Sequence, residues 1–315
     1  MHSQSDKVIN PQVTNITKPV FIVGTGRCGS TVFHRLLATH PQVMWLSGFS
    51  LRFPARPAWN AWAVTAMGNP VLRRLFGEWI RPNEQYGFWE HYAYGFTAPY
   101  RDLVRSDVTV RVKQQIRAAF EAMLTRQRNR LLLKITGWPR ISYLDEIFDD
   151  AKFIHIIRDG RAVASSLLHV AFWRGWFGPQ EWRAGDLSSE DRATWESYDR
   201  SFTALAALQW RMQMRAMDAA RRTINPDRFY EVKYESFCDQ PVETCRRVLE
   251  FAELPASPEL ERHARMLSIR NSNRWRDDLT PAQQNILDDL LHEDLQRYGY
   301  APTPAPARIR EPVAR

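Results

Sequence analysis

The stretch from Pro19 to Thr31, PVFIVGTGRCGST, restricts the fold more than any other part of the chain. Val20 to Val23 are consecutive apolar residues with no polar alternation, the pattern of a strand covered on both faces by helices. Glycines follow at 24, 26 and 29, where they are expected to take positive φ and turn backbone N–H groups inward. Ser30 and Thr31 then open a helix whose first N–H groups and positive dipole end face the same concavity. Strand, glycine-rich turn and helix in that order make a receiver for an anion. They commit the chain to a three-layer α/β fold, a mostly parallel central sheet flanked by helices, of the kind seen in P-loop nucleotide-binding proteins.

The spacing G-x-x-x-x-G-S-T matches the loop that holds nucleoside triphosphates, except that Ser30 stands where a lysine is required. Arg27 is then the only cation inside the loop, and Cys28 beside it reads as a small residue that fits. Two further stations repeat this chemistry. Lys152 to Ile157 reads as a strand that runs directly into Arg158-Asp159-Gly160-Arg161 and a helix. Arg158 and Ser166, eight residues apart, can converge on one anion, while Asp159 and Arg161 face outward or orient the turn. Near the C-terminus, Arg270-Asn271-Ser272-Asn273-Arg274-Trp275-Arg276 is a basic loop around one tryptophan. Leu131 to Ile135 is a buried-strand pattern carrying Lys134 toward its C-terminal end, the end at which open α/β sheets place ligands.

Composition excludes several function classes. The 315 residues are 44% apolar and 25% charged, an ordinary composition for a globular protein. No apolar run approaches the roughly 20 residues needed to span a bilayer. The polar first 17 residues lack the apolar core of a cleaved signal. Three cysteines (28, 238 and 245) form neither a disulfide framework nor a metal-binding cluster, which suits a reducing cytoplasm. The net charge of +8 comes mainly from dispersed arginines, without a lysine-rich run, so a substrate bearing several phosphate charges explains it better than nucleic acid.

The rest of the chain reads as alternating elements. A helix is expected from Ser30 to Thr39, a short strand within Gln42 to Ser47, and a helix from an Asp107 cap to about Arg128. A short helix over Ile141 to Phe148, one long helix from Ser188 to Arg222, a strand over Arg228 to Tyr234 and helices over Pro241–Ala252 and Pro258–Leu267 follow. A last helix runs from Thr280 to Tyr298. Residues 49–100 and 170–187 are aromatic-rich segments on the acceptor side, wall and lid of a pocket or simply aromatic packing. The expected organisation is a flexible N-terminus over 1–17, a single α/β domain over 18–300 and a disordered tail over 301–315.

Taken together, the Gly24 to Thr31 loop, the Arg158 to Ser166 turn and the Arg270 to Arg276 loop resemble the sulfotransferases that use 3′-phosphoadenosine 5′-phosphosulfate (PAPS). The segment Tyr234-Glu235-Ser236-Phe237 is similar to one common in the bacterial members. The resemblance implies that Gly26, Arg27, Cys28, Gly29, Ser30 and Thr31 hold the 5′-phosphosulfate. Arg158 and Ser166 would hold the 3′-phosphate, and Arg270, Arg274, Trp275 and Arg276 would close over the nucleotide. PAPS is then the co-substrate, 3′-phosphoadenosine 5′-phosphate (PAP) the product, and no metal is expected. The implied reaction is in-line transfer of a sulfuryl group to a hydroxyl or amine of a small-molecule, lipid or glycan acceptor, with Arg27 and Lys134 stabilising the developing charge. The chain departs from the family in lacking the arginine–lysine–glycine run of the cytosolic members, and in reading Ser47-Gly48-Phe49 where many bacterial relatives carry a glutamate. Candidates for the base are Glu84 and His91, with Glu90 beside them. A P-loop nucleotide kinase, or a module that binds nucleotide without turnover, is the rival reading, and the sequence leaves a homodimer open.

Overall fold

The computed structural model describes residues 15–66, 70–98, 100–268 and 274–300. They group into two compact units, Met1–Ile157 with Ala216–Arg270, and Arg158–Arg215 with Asn271–Arg315.

The first unit holds the sheet. Its opening elements are strand β1 (Val20–Gly24), helix α1 (Ser30–Leu37), strand β2 (Val43–Met44) and four helices, α2 (Gly48–Arg52), α3 (Pro57–Ala66), α4 (Pro70–Ile80) and α5 (Tyr86–Tyr92). Strands β3 (Arg130–Thr136), β4 (Lys152–Ile157) and β5 (Phe229–Lys233) complete a sheet of order β2-β3-β1-β4-β5 in which every neighbouring pair is parallel. All five residues of β1 are buried, which is why its sequence does not alternate. Phe21 packs its ring 5.6 Å from Phe153 and 5.7 Å from Phe148, so the core is built around the central strand. In register, Ile22 lies beside Lys134 and Gly24 beside both Thr136 and Ile156. The C-terminal ends of β1, β3 and β4 are thus side by side.

Two helix expectations need correction. The helix after residue 107 spans Val110–Glu121 and is capped by Thr109, whose hydroxyl accepts the Val112 N–H; Asp107 instead sits in a 3₁₀ turn and pairs with Arg101. A threonine two residues later supplies the same capping chemistry, so the aspartate was free for an ion pair. The run from Ser188 to Arg222 is two helices, Ser189–Ser197 and Phe202–Arg221. Asp199 and Arg200 adopt left-handed φ of 52° and 55° between them, which no continuous α-helix accommodates.

The second unit is helical. Helix Gly160–Leu168 is capped by the Asp159 carboxylate, which accepts the Arg161 N–H, and Gly160 is needed because a Cβ there would lie 2.9 Å from the Trp210 ring. The 170–187 segment contains one short 3₁₀ turn, Arg174–Phe177, and its Trp173 donates to Gln209 Oε1 at 2.8 Å, tying it to helix Phe202–Arg221. The final helix expected from Thr280 to Tyr298 is interrupted at Leu291, giving Pro281–Leu290 and His292–Arg297. Its Thr280 cap is as read, with a reciprocal bond from Gln283. The expected flexible N-terminus lies outside the described residues as far as 14, and the expected tail lies wholly outside them.

Candidate active site

The loop between β1 and α1 is shaped by two left-handed residues, Arg27 at φ 68° and Gly29 at φ 87°. The expectation of positive φ at Gly24 and Gly26 is not met; each glycine answers to a different constraint. Gly29 lies against Tyr234, where a Cβ would sit 2.1 Å from the ring, so the helix that follows β5 braces the loop through one aromatic face. Gly24 has no room for a side chain because a Cβ would lie 2.7 Å from the Ile156 carbonyl and 2.8 Å from the Cys28 sulfur. Cys28 is fully buried and fills the inside of the turn. Gly26 faces open space, with nothing within 4 Å of its missing Cβ. Arg27 is exposed, and its left-handed backbone carries strain of about 1–2 kcal/mol, a cost tolerated where a loop geometry is fixed for binding.

The parallel register of β1 and β3 brings Lys134 to this loop. Its ammonium donates to Thr31 Oγ1 at 2.8 Å and lies 3.5 Å from Glu84 Oε1, although the side chain is only 3% exposed. The Thr136 hydroxyl donates to the same Glu84 oxygen. Tyr86 locks that arrangement: its phenol donates to the Thr136 carbonyl at 2.8 Å and accepts the Thr136 N–H at 3.1 Å. Burial first, and then the neighbouring Glu84, push the Tyr86 phenol well above its ordinary pKa, so it remains a neutral donor. Beneath the lysine, His34 of α1 faces the Leu132 carbonyl through Nε2 at 3.2 Å, while its Nδ1 is buried without a hydrogen-bond partner among the described residues. Complete burial, followed by the Lys134 charge, lowers its pKa to about 3, which keeps the imidazole neutral with the proton on Nε2. The fold therefore holds the Lys134 ammonium buried and prevents a second cation from forming on His34 beside it.

Of the two candidate bases, Glu84 is in this cluster. His91, on α5, is exposed, with its ring against Tyr92 at 4.8 Å. Glu90 accepts N–H bonds from Gly95 and Thr97 and the Thr97 hydroxyl; partial burial raises its pKa, but those bonds win and hold it below the usual carboxylate range. It shapes a turn.

In the second unit, Arg158, Ser166, Arg274 and Trp275 line one cavity of about 290 Å³ together with Ala162, Ser165, His169 and Asp278. Two stretches far apart in sequence thus meet at one basic, hydroxyl-bearing pocket. Asp159 and Arg161, expected outward or orienting the turn, do the second and are buried. Arg161 pairs with Asp159 and Asp288, each at 2.7 Å, and stacks over Trp275 at 4.6 Å. Arg276 is exposed and also lies over the Trp275 indole, at 5.1 Å. The indole Nε1 is buried with no partner among the described residues. Arg270 lies outside the described residues. Sequence reasoning missed His169, whose spacing of three from Ser166 and four from Ser165 on a helix was the available signal.

Both sets of residues suit phosphate. The first loop offers backbone N–H groups at the start of α1, an exposed guanidinium and a buried ammonium. The second pocket offers two guanidinium groups, two hydroxyls and an imidazole around an orphaned indole N–H. Neither carries the lysine that a nucleoside-triphosphate loop would place after its last glycine.

Comparison with known proteins agrees with this chemistry. The chain is 25% identical over 334 aligned residues to omega-hydroxy-beta-dihydromenaquinone-9 sulfotransferase Stf3 of Mycobacterium tuberculosis, covering 94% of this chain and 79% of that one. It is 26% identical over 196 residues to human carbohydrate sulfotransferase 2, covering 51% of this chain and 37% of that one. Among solved structures, sulfotransferase STF9 from Mycobacterium avium superposes with a TM-score of 0.58 at 18% identity, over 91% of this chain and 78% of that chain, a likeness of fold. The model of the sulfotransferase family matches residues 19–258, well over half of the 315, and the chain belongs to that family.

Proposed function

We propose that this PAPS-dependent sulfotransferase grips the 5′-phosphosulfate with the Gly26 to Thr31 loop and the 3′-phosphate with Arg158, Ser166 and Arg274. The observation that carries the reading is the cluster around Lys134, whose buried ammonium lies 2.8 Å from the Thr31 hydroxyl in the first turn of α1 and 3.5 Å from the Glu84 carboxylate. PAPS, once bound, supplies the sulfuryl group and departs as PAP. Arg27 and Lys134 supply fixed positive charge where the bridging oxygen gains negative charge, and a charge already in place costs no reorganisation. Glu84 takes the acceptor hydroxyl's proton; its oxygen already receives the Thr136 hydroxyl and the Lys134 ammonium, so its position is set before a substrate arrives. His91, exposed and set edge-to-face against Tyr92, is the weaker choice of base. Trp275, buried with the Arg161 and Arg276 guanidinium groups against its ring, presents a rigid edge to the nucleotide side of its pocket.

The acceptor we favour is a small, partly apolar alcohol. The support is the aromatic 49–100 segment, within which Glu84 lies, and a relative named for a hydroxylated menaquinone. Action in the reducing cytoplasm fits three cysteines that form no disulfide, two of them buried.

A thermal-shift titration with PAP beside ATP, GTP and NAD tests the donor class before any acceptor is known. PAP should raise the melting temperature by about 3 °C or more at saturating concentration, without added metal. Equal or larger stabilisation by ATP or GTP with magnesium would favour the kinase-like reading instead.

A further inference from the structure

Helix α4, PVLRRLFGEWI, is amphipathic, with Leu75, Phe76 and Trp79 recurring at helical spacing, yet that apolar face is turned to solvent. Leu75 is 68% exposed and Trp79 59%. The adjoining α3 contributes Trp59 and Trp62, the latter 66% exposed, and α2 contributes Leu51. The rings form one patch: Trp62 and Trp79 both meet the Phe49 ring at 6.5 Å, Phe49 lies 6.2 Å from Phe53, and Trp59 meets Phe53 at 4.9 Å. Isolated exposed apolar residues need no explanation, but a contiguous aromatic face on three neighbouring helices marks a binding surface.

The charges around it identify the occupant. Residues 48–81 contain five arginines (52, 56, 73, 74 and 81), one glutamate (Glu78), and neither lysine nor aspartate, a net of +4. Arg52 stacks on Phe53 at 5.4 Å and Arg56 on Trp59 at 5.9 Å, so guanidinium groups interleave with the rings. Tryptophan at the apolar–polar boundary with arginine alongside is the composition of a helix lying in a lipid interface. A symmetric pairing with a second copy would set this arginine-rich face against itself, with one glutamate per copy to offset it. The helices have five, ten and eleven residues, and no described helix is long and apolar enough to cross a membrane, so the seat is on the surface.

We infer that α2, α3 and α4 form a docking face for an anionic bilayer, with Trp62, Leu75 and Trp79 entering the headgroup region and the exposed Arg52, Arg56 and Arg74 meeting lipid phosphates. The last residue of α4 is Ile80 and Glu84 follows four positions later, so a chain anchored by this face holds the proposed base close, in sequence, to the lipid surface. Membrane docking stands independently of the assigned reaction, because it is read by binding alone.

The test is co-sedimentation of the full chain with vesicles of phosphatidylglycerol mixed with phosphatidylcholine, beside vesicles of phosphatidylcholine alone, with sedimentation velocity for the oligomeric state. The inference predicts binding to the anionic vesicles, weakened by added salt, and little to the neutral ones. Arg52→Gln with Arg74→Gln should weaken it about fivefold per arginine, and Trp62→Ser with Trp79→Ser about tenfold or more. Both variants should keep wild-type circular dichroism and PAP affinity, which shows that the fold persists. Equal binding to both vesicle types, binding unaffected by either double substitution, or no vesicle binding at all would each overturn the inference. A concentration-dependent dimer abolished by the tryptophan substitutions, without vesicle binding, would assign the face to a second copy instead.

Discussion

His34 offers the sharpest quantitative check on how the site is built. Replacing it with glutamine keeps a donor near the Leu132 carbonyl but removes the titrating ring. In the folded protein its pKa is lowered from 6.5 to about 3 by burial and then by Lys134, whereas the unfolded chain protonates it at its ordinary value. Between those values the unfolded state binds the extra proton, so stability is fully present above pH 6.5 and is lost as pH falls toward 3. At about pH 4.5, two units below the unfolded value, the loss from this one residue is about 3 kcal/mol. Urea unfolding of wild type and His34→Gln, at about pH 7.5 and about pH 4.5, isolates it as a difference of differences. Other groups titrate in both proteins and cancel. The wild type should lose about 3 kcal/mol more than the variant on acidification; parallel losses would refute the claim that a neutral imidazole is enforced beneath Lys134.

Other outcomes follow from the same geometry. Gly29→Ala should destabilise by about 3 kcal/mol, because the residue has φ 87° and its Cβ would enter the Tyr234 ring; Tyr234→Leu in the same chain should recover part of that loss in chemical denaturation. Arg27→Gly should leave the melting temperature nearly unchanged, since relief of left-handed strain offsets glycine's entropy, while weakening PAP binding measured by calorimetry at least tenfold. Arg161→Met should cost about 3–5 kcal/mol by leaving Asp159 and Asp288 without their shared cation, seen as a lower urea midpoint. Lys134→Met should lower the transfer rate from PAPS by about 10²–10³ once an acceptor is found, and a rate within threefold of wild type would remove Lys134 from the chemistry.

Much of the site could be read before the fold was known, because its determinants are local. Gly29, Ser30 and Thr31 announce a helix start after a buried strand, and Arg158 with Ser166 needs only the pitch of one helix to converge. The parallel character of the sheet followed from the unbroken apolar run of β1, whereas the half-exposed FYEVK of β5 carries no such signal. What was hidden depends on long-range contacts. Nothing near Gly29 says that Tyr234 will press against it, and nothing near Arg161 says that Asp288 will complete its pair. Spacing could not separate Glu84 from His91; only the approach of Thr136 and Lys134 distinguishes them. The helix expected from 188 to 222 failed at Asp199 and Arg200, ordinary helix residues individually, whose left-handed turn serves the packing of the two flanking helices.

The central claim is that one arginine corner reads the 5′ end of the donor and the other its 3′ end. Calorimetric titration of wild type and Arg158→Ala, each with adenosine 3′,5′-bisphosphate and with adenosine 5′-phosphate, tests it most directly. The wild type should prefer the bisphosphate by about 10²-fold, and Arg158→Ala should lose most of that preference while binding the monophosphate nearly as before. Equal losses for both ligands, or no preference in the wild type, would contradict the account.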